Sequence, residues 1–102
     1  MITEDKETLD FYQRCIDVWG KDAQVMMCIE EMSELTKELC KYFRPDIKLT
    51  DERREHICEE IADVINMASQ LRIMFGKEKV DKFIIEKIER TKKLLDKIES
   101  EG

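Results

Sequence analysis

Apolar residues recur every three to four positions along most of this chain, and short breakers separate the stretches that carry the rhythm. Leu9, Tyr12, Ile16 and Trp19 form one stripe, which predicts a first helix from about Asp5 to Trp19 with Gly20 as its stop. Asp22 is the expected N-cap of a second helix running to about Phe43, with Val25, Cys28, Met32, Leu35, Leu39 and Phe43 as its apolar face. Arg44-Pro45-Asp46 breaks that helix, because proline lacks the amide proton and restricts the residue before it. Thr50 can cap a third helix, with Asp51 and Glu52 placed to complement its dipole. That helix reaches Phe75 and ends at Gly76. A fourth runs from about Glu78 to Glu99, with Val80, Ile84, Ile88, Leu95 and Ile98 expected inward. Short connections favour opposed neighbours, so the pattern predicts an all-α fold, an antiparallel four-helix bundle.

Composition narrows this picture. The chain has 102 residues, enough for one domain, 1–102, with one core. Three glycines and one proline are few for a β-rich protein, and 41% charged with 42% apolar residues suits amphipathic helices. A formal charge of −6 argues against nucleic acid or an anionic membrane as partner. No apolar run approaches a membrane span and the N-terminus has no signal-peptide core, so a cytoplasmic location is expected. Cys15, Cys28, Cys40 and Cys58 form no CxxC and fall among apolar positions, which predicts buried free thiols. The third helix is apolar nearly all round, more than three neighbours readily cover. A homodimer or homotetramer would bury the excess.

Two acidic clusters change the reading from fold to chemistry. Glu30, Glu31 and Glu34 form an EExxE on the second helix, and Glu60 and Asp63 an ExxD on the third. At helical spacing each cluster projects to one side of its helix. On the second helix alone, Glu30, Glu31, Glu34 and Glu38 could be an ordinary solvated face opposite the apolar one. The third helix weighs against that, since Glu60 lies between Val64 and Met67 and Asp63 flanks Met67. A buried carboxylate needs a cation, a metal or a proton. A lysine or arginine partner is the structural alternative. Facing acidic clusters favour a divalent metal held by hard oxygen ligands.

Lys87 shares a stripe with Val80, Ile84, Thr91 and Ile98, where it either snorkels or reaches an anionic ligand; Arg90, one turn on, offers a planar donor fork. His56 lies one turn before Glu60 and is expected in a structural or solvent role. A ferritin-like di-iron site would need two Glu-x-x-His pairs. The chain has one histidine, and Arg53 stands three residues before it.

EExxE followed by ExxD resembles the MazG-type all-α nucleoside triphosphate pyrophosphohydrolases. So do Trp19-Gly20 with Gln24 ahead of Ile29-Glu30-Glu31-Met32-Ser33-Glu34-Leu35, Glu59-Glu60-Ile61-Ala62-Asp63-Val64, and Glu86-Lys87-Ile88-Glu89-Arg90. The similarity spans about Phe11 to Leu95. It implies a compact MazG-like bundle that hydrolyses a nucleoside triphosphate to the monophosphate and pyrophosphate with Mg2+, for which Mn2+ can substitute. By motif position, Glu31, Glu34, Glu60 and Asp63 would be the metal ligands, and Glu30 a base or a group bracing the ligands. Lys87 and Arg90 would contact phosphates, and Gln24 and Asn66 the nucleotide or nearby water. Phosphoribosyl-ATP pyrophosphohydrolases and dimeric dUTPases share the fold and acidic motifs, so the substrate stays open. Phe11, Tyr12 and Trp19 are candidates for base stacking as well as for core packing. An acidic helical module that binds a basic partner is the non-enzymatic alternative.

Overall fold

The computed structural model describes residues 5–102, and those residues form four helices and no strand. They are α1 (Lys6–Trp19), α2 (Lys21–Tyr42), α3 (Asp51–Phe75) and α4 (Lys77–Glu101). Side-chain caps explain two of the starts, one of them the expected Thr50. Asp5 accepts from the amide of Thr8 at 2.7 Å, and Thr50 accepts from the amide of Arg53 at 3.2 Å. Gly20 and Gly76 each end one helix and begin the next, with φ of 92° and 132° that L side chains rarely adopt. The second helix therefore starts before Asp22, and Gly20, not Asp22, is its N-cap. A glycine can turn the chain within one residue, so no separate capping side chain is used. The α2–α3 connection is held by Arg44, whose guanidinium meets Asp46 at 2.8 Å.

The helices α2 and α3 form the most extensive interface. Gln24, near the start of α2, bonds Gln70, near the end of α3, at 2.7 Å, while Glu38 faces His56 at the other end. α1 packs across both. Its Tyr12, Cys15 and Ile16 are buried, and the Tyr12 hydroxyl donates to Asn66 at 2.8 Å.

α4 departs from expectation. None of its residues is buried: Val80 is half-buried, while Ile84, Ile88, Leu95 and Ile98 are exposed rather than inward. Among the described residues its helix contacts are with α3 alone. They include the near-fully buried Arg72 guanidinium, which donates to Asp81 at 2.6 and 2.8 Å, with Lys77 on the same carboxylate. Beyond that corner α4 runs into open space. The radius of gyration is 17.2 Å, against about 13 Å for a compact chain of this length. Cys15 and Cys28 are buried free thiols, but Cys40 and Cys58 are exposed. They lie on helix flanks that no neighbour covers. No helix among the described residues is long and apolar enough to cross a membrane.

Candidate metal centre

The residues of α2 that face α3 differ from its expected apolar stripe. Gln24, Cys28, Glu31, Leu35 and Glu38 are buried or half-buried, while Met32, Leu39 and Phe43 are exposed. These five positions alternate by four and three residues, the spacing of a seam between two helices. Gln24, Glu31 and Glu38 stand seven apart on it. Gln70, Asp63 and His56 stand seven apart on α3. The seam thus carries three polar layers: an amide pair, an acidic layer, and a layer of mixed charge.

The acidic layer is the candidate centre. One carboxylate oxygen from each of Glu31, Glu60 and Asp63 lies within 4.8 Å of the others. Glu31 and Glu60 are half-buried and Asp63 is exposed, so the cluster opens to solvent on one side. Burial pushes the Glu31 pKa up, and the charges of Asp63, Glu60 and Glu34 push it further. Oε2 of Glu60 is buried without a hydrogen-bond partner. Three negative groups in one layer, one of them with an orphaned oxygen, are costly without a cation. Around an octahedral magnesium ion adjacent ligand oxygens lie about 3 Å apart and opposite ones about 4.2 Å. Oxygens within 4.8 Å of one another would need to draw in by up to about 2 Å, by rotation of the three side chains. The donor set therefore suits a small hard dication.

The remaining expected residues are distributed unevenly. Glu34, one turn from Glu31, is exposed and acts on it through charge, but its oxygens are outside the three-residue set. Glu30 is exposed on the neighbouring flank. Gln24 is buried in the amide layer, and Asn66 accepts the Tyr12 bond on the α1 side. Lys87 and Arg90 are exposed on the free length of α4, so their stripe does not point into this chain's core.

The mixed-charge layer escapes a reading by apolar periodicity. Glu38 is 8% exposed, with Lys41 at 3.3 Å and His56 at 3.6 Å; His56 Nε2 is also 3.7 Å from Glu60. Burial works to raise the Glu38 pKa, but Lys41, His56 and Arg53 outweigh it and hold the carboxyl below its usual range. His56 thus bridges the acidic layer to the next one. The seven-residue step from Glu31 to Glu38 was the available signal, hidden because glutamate counts as a surface residue. The Arg72–Asp81 pair had no comparable signal, since it depends on how the chain turns at Gly76.

At the opposite end of the acidic layer, Gln24 and Gln70 line a cleft of about 470 Å³ with Trp19, Ala23, Met27 and Met67. Compared with family models, curated proteins and solved structures, the chain gives no match.

Proposed function

We propose that the protein is a magnesium-dependent nucleoside triphosphate pyrophosphohydrolase of the MazG-like kind, releasing nucleoside monophosphate and pyrophosphate. The observation that carries this reading is the convergence of Glu31, Glu60 and Asp63 from two helices, with the Glu31 carboxyl destabilised as an anion by burial and then by its acidic neighbours. Magnesium, with manganese as a substitute, would be held by Glu31, Glu60 and Asp63, and by Glu34 after a change of rotamer. Bound there, it would neutralise the carboxylates and polarise the phosphate oxygens of an incoming polyanion. Glu30, exposed and next to Glu31 in sequence, would orient water or brace the ligands. A nucleotide-pool housecleaning role in the cytoplasm fits this chemistry.

Lys87 and Arg90 fit as phosphate contacts only if α4 meets a centre other than through its own chain's packing. A second copy supplies that. α4 offers Phe83, Ile84, Ile88, Leu95 and Ile98 uncovered along one long helix, more apolar surface than a monomer of this size usually exposes. Two such helices exchanged between protomers would complete the antiparallel four-helix bundle as a homodimer, or twice over in a homotetramer. Light scattering at micromolar concentration is expected to give a dimer or tetramer. Ile88→Asp should shift it toward monomer while helix content persists, and a monomeric parent protein would overturn the assembly.

The reaction is tested by a magnesium-dependent screen over ribo- and deoxyribonucleoside triphosphates with product identification. Asp63→Asn or Glu34→Gln should lose nearly all turnover and keep its helical circular dichroism. Unchanged pyrophosphate release in both variants would sink the ligand assignment.

A further inference from the structure

The mixed-charge layer holds a histidine between two carboxylates without bonding it to either. His56 Nε2 stands 3.6 Å from Glu38 Oε1 and 3.7 Å from Glu60 Oε1. Both separations exceed a hydrogen bond. They are close to the spacing of about 3.3 Å between neighbouring ligand atoms around a tetrahedral zinc ion with bonds of about 2.0 Å. His56 and Glu60 are one turn apart on α3, and Glu38 reaches them from α2, so the ligands come from both sides of the seam. The Glu38 and Glu60 oxygens do not come within 4.8 Å of each other, so closure on an ion needs one of them to rotate. Glu60 has a reason to accept a cation: its Oε2 is buried with no hydrogen-bond partner, and its side chain is 13% exposed.

Access and orientation are present too. The His56 side chain is half-exposed, and a hollow lined by Glu52, Arg53, Glu55, His56 and Glu59 brings solvent to it. Glu52 and Glu59 lie one turn before and one turn after His56 on α3. A carboxylate so placed can accept from Nδ1–H, the bond that fixes the tautomer of a metal-bound histidine. Lys41, 3.3 Å from Glu38 and partly exposed, would swing to solvent as an ion arrives. Lys41 and Arg53 still leave positive charge near Glu38, which opposes any dication. A hard ion such as magnesium gains little from an imidazole and loses that contest. An ion of the zinc class gains a strong nitrogen bond.

We propose that Glu38, His56 and Glu60 form a second cation site, selective for zinc-class ions, which competes with the acidic layer for Glu60. Only the competition rests on the magnesium reading above; the site does not. His56 is the single histidine, so its imidazole resonances report occupancy directly. Cys40 and Cys58 are exposed thiols with their own affinity for zinc, so the parent for the test is the full chain with both changed to serine. Zinc chloride should move the imidazole resonances saturably. His56→Gln and Glu38→Gln should each weaken zinc by at least about tenfold in calorimetry, while magnesium still raises the melting temperature of both. Saturating magnesium should weaken zinc in the parent by at least about fivefold. Unmoved imidazole resonances, or parental zinc affinity in either variant, overturn the site. Zinc affinity indifferent to magnesium that does stabilise the parent overturns the competition. The two readings fail separately. Zinc at His56 in a protein that ignores magnesium would sink the magnesium centre and leave this site. Magnesium stabilisation without His56-dependent zinc binding would do the reverse.

Discussion

The α2–α3 seam and the free length of α4 use similar residues to opposite ends. The seam buries glutamates and glutamines at heptad positions and leaves Met32, Leu39 and Phe43 outside. α4 places isoleucines and leucines on a regular stripe and buries none of them. Side-chain hydrophobicity therefore does not decide what is inside this chain. Pairing does: a polar residue is buried where the facing helix supplies its complement, and an apolar one stays exposed where no second helix arrives. The acidic layer is the exception, since its members repel one another, and it is there that a cation is called for.

Breaking the seam should have the largest effect. Met67→Ala, in the buried centre, is expected to cost about 2–5 kcal/mol in urea or thermal unfolding. Ile88→Ala, on exposed α4, should stay within about 0.5 kcal/mol when measured on monomer. Similar losses at both sites would erase the contrast.

The acidic layer sharpens it next. Magnesium at a hundred times its Kd should stabilise the parent protein by about 2.7 kcal/mol, and Glu31→Gln should remove most of that gain. pH gives the complementary reading. A raised carboxyl pKa, as at Glu31, contributes stability that is present below the ordinary glutamate value and lost as pH rises through the raised one. The metal-free protein should therefore gain thermal stability on mild acidification from neutral pH. Further acidification reverses this, because the carboxyls of Glu38 and Asp81, held below their usual range, lose their ion pairs as they protonate. Saturating magnesium should suppress the initial gain. A melting temperature that falls monotonically from neutral pH in the metal-free protein would count against the repulsion.

A smaller loss than the seam's belongs to α1. Tyr12→Phe deletes the hydroxyl bond to the exposed Asn66 and is expected to cost about 1 kcal/mol, measured by chemical denaturation. A loss several times larger would place α1 inside the seam's cooperative unit more firmly than its packing implies.

Much of the helix layout was legible in the sequence because it depends on local chemistry: the Thr50 cap, the stops at Gly20 and Gly76, the break at Arg44-Pro45-Asp46. The convergence of Glu31 with Glu60 and Asp63 was legible too, because two helical spacings on facing helices leave few arrangements. Three things were not. Glu38 reads as one of four glutamates that could form a solvated face, because its complements, Lys41, Arg53 and His56, are spread over two helices. Asp22 looked like a cap because a one-residue glycine connection leaves no trace in hydrophobic periodicity. The stripe of α4 reads as inward because periodicity marks an apolar face without showing whose surface covers it.

The three polar layers also form a code that tells α2 and α3 when they are misaligned. A slip of one residue would rotate every layer off the seam. A slip of a full heptad would restore polar against polar, but as the wrong word: Gln24 against Asp63, Glu31 against His56, and Glu38 beyond the end of α3. Only the native alignment reads amide with amide, and only there do the three acids meet. Proofreading of the hairpin and assembly of the candidate centre are thus the same event, and a chain zipped in the wrong frame would leave Glu31 apart from Glu60 and Asp63.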